Sequence, residues 1–326
     1  VPATALPVIS QATTEEVDPR DRIAYWEEYN RTALVGLSCT SYSDRGLLAR
    51  QTNYEFDGLR LADISGNAHA IERSPQVARS TPKDSVFASL LLEGDAVFMH
   101  EHGCLSAAAG DLVLYDTRRP YLFGFSGTMR QFLVDIPREL FEQECLAGGV
   151  PAPMLFGRDT AREGELVTTL RSVLHAMVHP AAGERGEEGG GARRDVLALI
   201  RMLGWERSGG GPRPAAHQAQ LLVAKDHIER HLHDPRLDPA QVAGVLGVSV
   251  RHLGRIFEPT GTTPSRYITE RRLQRAREQL VSGAAAGATI ADVAYRWGFS
   301  SQAHFARLFR ARFGCTPTEA RARARA

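Results

Sequence analysis

Two stretches of this 326-residue chain decide its fold: LDPAQVAGVLGVSVRHLGRIF, from Leu237 to Phe257, and TIADVAYRWGFSSQAHFARLF, from Thr289 to Phe309. Each has a small residue within a short helical pattern (Ala243, Ala294) and a glycine four positions on (Gly247, Gly298). A serine follows, Ser249 or Ser301, and apolar residues recur four, seven and eight places beyond it. A glycine turn, a serine N-cap and an apolar stripe at helical spacing are the sequence form of a helix-turn-helix. Superposing the copies on their serines pairs Leu253 with Phe305, Ile256 with Leu308 and Phe257 with Phe309 as the buried stripe. The opposite stripe holds Arg251, Gly254 and Arg255 in the first copy, and Gln302, Ala303, Ala306 and Arg307 in the second. Arginine donates two parallel bonds to guanine and glutamine pairs adenine, while glycine and alanine permit close approach or contact with a thymine methyl. Two such units on one chain predict double-stranded DNA as the partner.

Charge follows the same division. From Pro212 onward there are 18 Arg and Lys against 9 Asp and Glu, whereas the preceding residues hold 21 against 29. A basic C-terminal third on a mildly acidic body is the electrostatic footprint of a nucleic-acid-binding domain joined to something else. Only Lys83 and Lys225 are lysines, so nearly all of the positive charge is arginine. Arg266, Arg271, Arg272, Arg275 and Arg312 are candidates for phosphate positioning, which gives affinity and salt dependence without sequence information. His252 and His304 share a repeat position but belong to separate units, so packing or phosphate contact is expected of them rather than metal binding. A helix over Pro264 to Leu280 joins the copies. Pro259 is expected to end the first recognition helix early by forcing residue 258 out of α geometry.

Upstream, residues 1–17 read as a disordered leader. Asp18-Pro19 reads as an N-cap and first helical position, with Ile23, Trp26 and Tyr29 on one apolar face. From about Leu34 the period changes to short apolar or alternating runs, among them GLLARQTNYEF, VFASLLLEG, DLVLYD and QFLVDIP, separated by Gly, Asp, Pro or Ser clusters. Nine or so such runs predict an antiparallel sandwich or barrel. Helices are expected over Arg138 to Leu146 and Glu163 to Val178. AAGERGEEGGGARRD and ERSGGGPRP read as flexible segments flanking a short helix, DVLALIRMLGW.

Residues 218–320 resemble the DNA-binding domain of the AraC/XylS family of bacterial transcription regulators, most diagnostically in GFSSQAHFARLFRARFGCTPTEAR from Gly298 to Arg321. The resemblance implies two helix-turn-helix units held apart by a central helix, entering successive major grooves of promoter DNA. It also implies RNA polymerase as a partner and activation as the usual outcome. One departure stands out: Gly261 comes four residues after Phe257, whereas Gly314 comes five after Phe309, and most family members have the longer form twice. Residues 18–150 resemble the AraC-binding-like sensor domain of regulators of aromatic amine, aromatic acid and nitrile catabolism. VFASLLLEGDAVFMHEHG, GDLVLYDTRRPY and FLVDIPREL carry that likeness. It implies a cupin-like antiparallel β-barrel binding a small organic effector, followed by helices for a homodimer. Leu166, Leu170, Val173, Leu174 and Met177 form either that dimer face or a cover for the barrel.

The expected whole is an α+β multidomain chain: leader 1–17, sensor and dimerisation domain 18–180, flexible linker with a short helix 181–214, and DNA-binding domain 215–321. Within the last, the helix-turn-helix units occupy 238–258 and 289–311, and the joining helix 264–281. Candidate effector contacts are Arg73, His100, His102, Tyr115, Arg119 and Tyr121, with arginine suited to a carboxylate on an aromatic acid and an aromatic amine the other class. Two other functions compete with an effector-responsive regulator. In one the barrel only oligomerises. In the other it is a metal-dependent enzyme, as His100-Glu101-His102 invites, but GDLVLYDTRRPYLF lacks the second-strand histidine that cupin metal sites use. No catalytic residue, metal or cofactor is therefore expected. The four cysteines form no CxxC, no apolar run approaches a membrane span, and no secretion signal is evident, so a reduced cytoplasmic protein without membrane contact is expected.

Overall fold

Alternate residues of Ala49–Phe56 turn inward, Ala49, Gln51 and Asn53 being buried, so one face of this strand packs on a core. The computed structural model, which describes residues 6–180, 190–208, 214–282 and 288–323, extends the pattern across two antiparallel sheets. The elements of this half are β1 (Val8–Thr13), α1 (Arg22–Ala33), β2 (Ser38–Ser41), β3 (Ala49–Phe56), β4 (Leu59–Gly66), β5 (His69–Arg73) and α2 (Pro75–Ser80). They continue with β6 (Ser85–Glu93), β7 (Asp95–His100), β8 (Gly103–Ala108), β9 (Leu112–Asp116), β10 (Tyr121–Phe125) and β11 (Met129–Pro137). Then follow α3 (Arg138–Glu144), β12 (Met154–Phe156), α4 (Ala161–Val178) and α5 (Gly190–Ser208). One sheet runs β1-β3-β4-β11-β6-β9-β12 and the other β2-β5-β10-β7-β8. Their inner faces share one core, including Phe87, Leu91, Tyr115 and Leu133 from the first and Phe98, Phe123 and Phe125 from the second. The cupin-like antiparallel architecture is therefore present.

Three details correct the sequence reading. Of the supposed leader, Val8–Thr13 is a strand paired with β3, and Thr14 is fully buried with its hydroxyl donating to the Leu47 carbonyl at 2.8 Å. Polar VISQAT lacks a hydrophobic signal because the edge strand gains its place through the backbone ladder. The first helix begins at Arg22, not at Pro19; Asp18 instead closes a turn by accepting from the Arg20 amide at 3.0 Å. The short helix of the supposed linker is the 19-residue α5, whose Val196, Leu199, Ile200 and Leu203 are fully buried. It packs along α4, so Leu166, Leu170 and Leu174 are covered by their own chain, whereas Val173 and Met177 of the same set stay half-exposed. Of the flexible segments expected at 181–195 and 206–214, residues 190–195 and 206–208 belong to α5 instead, and 181–189 and 209–213 lie outside the described residues.

The chain divides into compact units Val1–Ala219 and Gln220–Ala326, the division falling within α6 (Pro214–His231) just after the boundary expected near 214. The second unit continues with α7 (Pro239–Val245), α8 (Val250–Phe257), a 3₁₀ turn over Glu258–Thr260, and α9 (Pro264–Val281). It ends with α10 (Ile290–Arg296), α11 (Gln302–Phe313) and α12 (Pro317–Arg323). Both predicted serine N-caps are made, and Asp238 and Thr289 cap the preceding helices in the same way: Asp238, Ser249, Thr289 and Ser301 each accept a backbone N–H three residues on. Gly247 and Gly298 sit at φ +63° and +72°, left-handed turns that other residues adopt only with strain.

Candidate nucleic-acid interface and barrel chamber

In α8 the side chains of Leu253, Ile256 and Phe257 are fully buried, and in α11 so are Phe305 and Phe309, with Leu308 half-buried. Helical periodicity then turns the other stripe to solvent. Arg251, Arg255, Gln302, Ala303 and Arg307 are exposed, and Gly254 and Ala306 half-exposed. A Cβ added at Gly254 would meet nothing within 4 Å, so its surroundings are open to a partner. The Arg255 guanidinium lies 3.1 Å from His252 Nδ1, a bond within the helix that ties the histidine to the reading face. His304 is exposed at the equivalent place.

The five phosphate candidates divide. Arg266 and Arg312 are exposed, the first pairing with Glu270 at 3.0 Å and the second lying over the Phe313 ring. Arg271 and Arg275 both turn to Glu229, on α6, at 3.1 Å, which neutralises much of their charge inside the protein. Arg272 is a correction. Its Nε donates to the Leu232 carbonyl at 3.0 Å and an Nη to the Asp234 carbonyl at 2.6 Å, while burial pushes its pKa down. It fastens the end of α6 to the middle of α9, and sequence reasoning could not see that because its partners lie about forty residues away. Pro259 needs a second correction. Helix α8 does end at Phe257, but Glu258 keeps α geometry (φ −48°, ψ −44°), and the proline enters the first turn of a 3₁₀ helix where no N–H is required of it.

The effector candidates fare less evenly. Arg73 is fully buried, and its guanidinium donates to the carbonyls of Thr117 (2.7 Å), Gly36 (2.7 Å) and Thr81 (2.8 Å). It is a backbone clamp, which overturns its assignment as a carboxylate receptor. His102 is in the β7–β8 turn rather than beside His100 on a strand face, because His100 pairs directly with Gly103 across the hairpin. Glu101 of the same turn holds Arg119 at 2.6 Å on the surface. His100 and Arg119 line a surface cleft with Tyr115 and Tyr121 at its floor. Among the described residues no group of three or more His, Cys, Asp or Glu is placed to hold a metal.

Tyr115 and Tyr121 also line the internal chamber between the sheets, where burial raises both phenols, that of Tyr121 to about 12. The chamber walls bring in residues the sequence reading missed: Gln51, His69 and Gln131, all buried. Their signal was their position within alternating runs, at inward places where apolar residues are the rule. All four cysteines are free thiols, and burial raises Cys39 and Cys145 to about 12, which keeps them protonated.

An AraC-binding-like domain model matches residues 26–203, more than half of the chain, and a helix-turn-helix domain model matches 242–323. The chain belongs to the AraC family. The transcriptional activator NphR of Rhodococcus sp. is 26% identical over 324 residues, covering 96% of this chain and 93% of that protein. The probable thc operon regulatory protein of Rhodococcus erythropolis is 38% identical over 109 residues, 33% of this chain and 32% of its own length. A solved AraC-type regulator from Chromobacterium violaceum is 36% identical, with a TM-score of 0.30, covering 34% of this chain and 96% of that one. As an AraC-family chain with a sensor domain and a two-unit helical domain, the protein is a DNA-binding transcription regulator. No helix of the described residues is long and apolar enough to cross a membrane.

Proposed function

We propose that this AraC-family regulator is an effector-responsive activator of a catabolic or neighbouring operon. The observation that carries it is the pair of exposed stripes opposite two buried ones: Arg251, Gly254 and Arg255 on α8, and Gln302, Ala303, Ala306 and Arg307 on α11. These side chains read base edges in successive major grooves, while Arg266 and Arg312 hold phosphates. The activator reading is supported by the name of a relative matched over nearly the whole chain. The barrel chamber takes the effector, a homodimer presents two such chains to the promoter, and RNA polymerase is the partner at the bound site.

DNase footprinting with the full chain upstream of its own neighbouring genes tests the reading. Protection of two segments about one helical turn apart is expected, together with transcription in vitro that rises when a stabilising small molecule is added. Protection without any response to a small molecule would favour a barrel that serves only oligomerisation, and protected DNA with falling transcription would make the protein a repressor. Sedimentation at micromolar concentration tests the homodimer.

A further inference from the structure

The chamber is bounded by Trp26 of α1, Ile64, His69, Phe125 and the two glutamines, and among the described residues no Asp, Glu, Lys or Arg lines it. The ladder fixes how the glutamines stand. Gln51 on β3 and Gln131 on β11 both pair with Ile64 on β4, so the three residues form one row across the inner face of the larger sheet. Their hydrogen bonding fixes what each offers. The Asn53 amide donates to Ser10 Oγ and to the Tyr29 hydroxyl, both at 2.9 Å, leaving its carbonyl to accept from Gln51 Nε2 at 2.9 Å. The Gln51 carbonyl oxygen is then buried with no partner. Across the row, Gln131 accepts from the Ser89 hydroxyl through its carbonyl, so its NH2 is what it can give a ligand.

On the opposite sheet, His69 Nδ1 meets the Asn67 carbonyl at 2.7 Å, which makes Nδ1 the protonated nitrogen and Nε2 an acceptor. Burial lowers the His69 pKa, and the imidazole is neutral. Of the charges felt by the wall tyrosines, Arg73 is held by three carbonyls, and Asp135 is paired with Lys83 at 2.6 Å through one oxygen, its other oxygen being buried without a partner outside the lining. An ion entering the chamber would be stripped of water and find no opposite charge, whereas an uncharged amide finds both an acceptor and a donor.

We propose that the chamber selects an uncharged ligand of the carboxamide class on an apolar, ring-sized body, and excludes carboxylates and ammonium ions. This rests on the barrel being the effector site. The chamber holds only about 20 Å³ in this structure, room for one water, while a cavity of about 150 Å³ accepts benzene. Binding therefore selects an expanded state, and unbranched Met129 in the wall is the side chain most able to repack.

The experiment compares benzamide, benzoate and benzylamine by calorimetric titration of the full chain near neutral pH. Benzamide is expected to bind at least about tenfold more tightly than either ion. Benzoate should gain about tenfold for each unit of falling pH, following its neutral fraction, while benzamide stays flat over the same range. Gln51→Leu should weaken benzamide about fivefold or more, and Gln131→Leu likewise, with each variant's fold checked by far-UV circular dichroism. Equal binding of benzoate or benzylamine, pH-independent benzoate binding, benzamide binding indifferent to both variants, or no binding by all three probes would each overturn the proposal. Footprinting on the same preparation separates this from the regulatory reading. Benzamide binding that obeys the charge rule but leaves operator occupancy and transcription unchanged would sink the effector reading and keep the chamber's chemistry.

Discussion

The two helix-turn-helix units share a sequence pattern and differ in what holds them. Helix α8 has 8 residues and sets Phe257 against Tyr267 at 5.6 Å. Helix α11 has 12 residues and continues a ladder of rings, Phe299, Phe305, Phe309 and Phe313, with successive centroids 5.0, 5.4 and 4.7 Å apart. The second unit is also tied to α9, through Trp297 Nε1 donating to Gln279 Oε1 at 2.8 Å. Arg272 presses on its turn glycine: a Cβ at Gly298 would lie 2.8 Å from the guanidinium carbon, whereas one at Gly247 would meet nothing. The first unit carries two arginines on its exposed stripe, and the second one arginine and a glutamine. A duplicated motif thus differs between its copies, with firmer anchorage in the second and more arginine on the exposed stripe of the first.

The largest effect that could break this difference is in the second core. Phe305→Ala should cost about 3–5 kcal/mol in urea unfolding of the helical unit, since the ring is fully buried between two others. A loss smaller than that of Leu253→Ala would mean that the ring ladder is not the stiffer core. Next come the turns. Gly298→Ala should cost about 2–4 kcal/mol, combining left-handed strain with displacement of the Arg272 clamp. Gly247→Ala should cost about 1–2 kcal/mol from backbone strain alone. Equal losses would show that the clamp yields freely and that Arg272 does not anchor the unit.

The pattern that revealed these units was legible because it is local: period, cap and turn lie within about twenty residues of one another. Strand alternation was legible for the same reason, and the barrel followed from it. What stayed hidden depends on distant partners. Arg271, Arg272 and Arg275 read as a basic helix face, yet their partners on and after α6 turn them inward. Arg73 read as a ligand group and is held by three carbonyls from separate loops. Gln51 and Gln131 read as ordinary polar residues, and only the pairing of both strands with Ile64 sets them in one row.

For DNA reading, Arg251→Ala and Arg255→Ala should each cost about 1–3 kcal/mol of operator affinity and relax base preference within one half-site. Arg307→Ala should act on the other half-site and less strongly, having one glutamine rather than a second arginine beside it on the stripe. Fluorescence anisotropy on operators with either half-site scrambled measures both. If Arg307→Ala lost affinity evenly on specific and scrambled DNA, it would be a phosphate contact, and the second unit would contribute anchorage with little sequence choice. In contrast, Arg312→Ala should weaken all sequences alike and lower the salt slope by about 1.

The smallest effect gives the sharpest comparison, because the chemistry is the same in both copies. Ser249 caps α8 by accepting the His252 amide at 3.2 Å, and Ser301 caps α11 by accepting the His304 amide at 3.4 Å. Removing either hydroxyl leaves one amide to water and costs about 1 kcal/mol where helix and cap form together. In α11 the ring ladder holds the helix along its length, so Ser301→Ala should fray its first turn and leave the rest in place. In α8 the first turn is half of the helix and carries Arg251, so Ser249→Ala should blur the reading face itself. The expected result is similar losses in urea unfolding but a larger loss of operator affinity for Ser249→Ala. Equal losses of affinity would mean that α8 is held as firmly as α11 by packing alone, and the difference between the two units would then rest only on which side chains they expose.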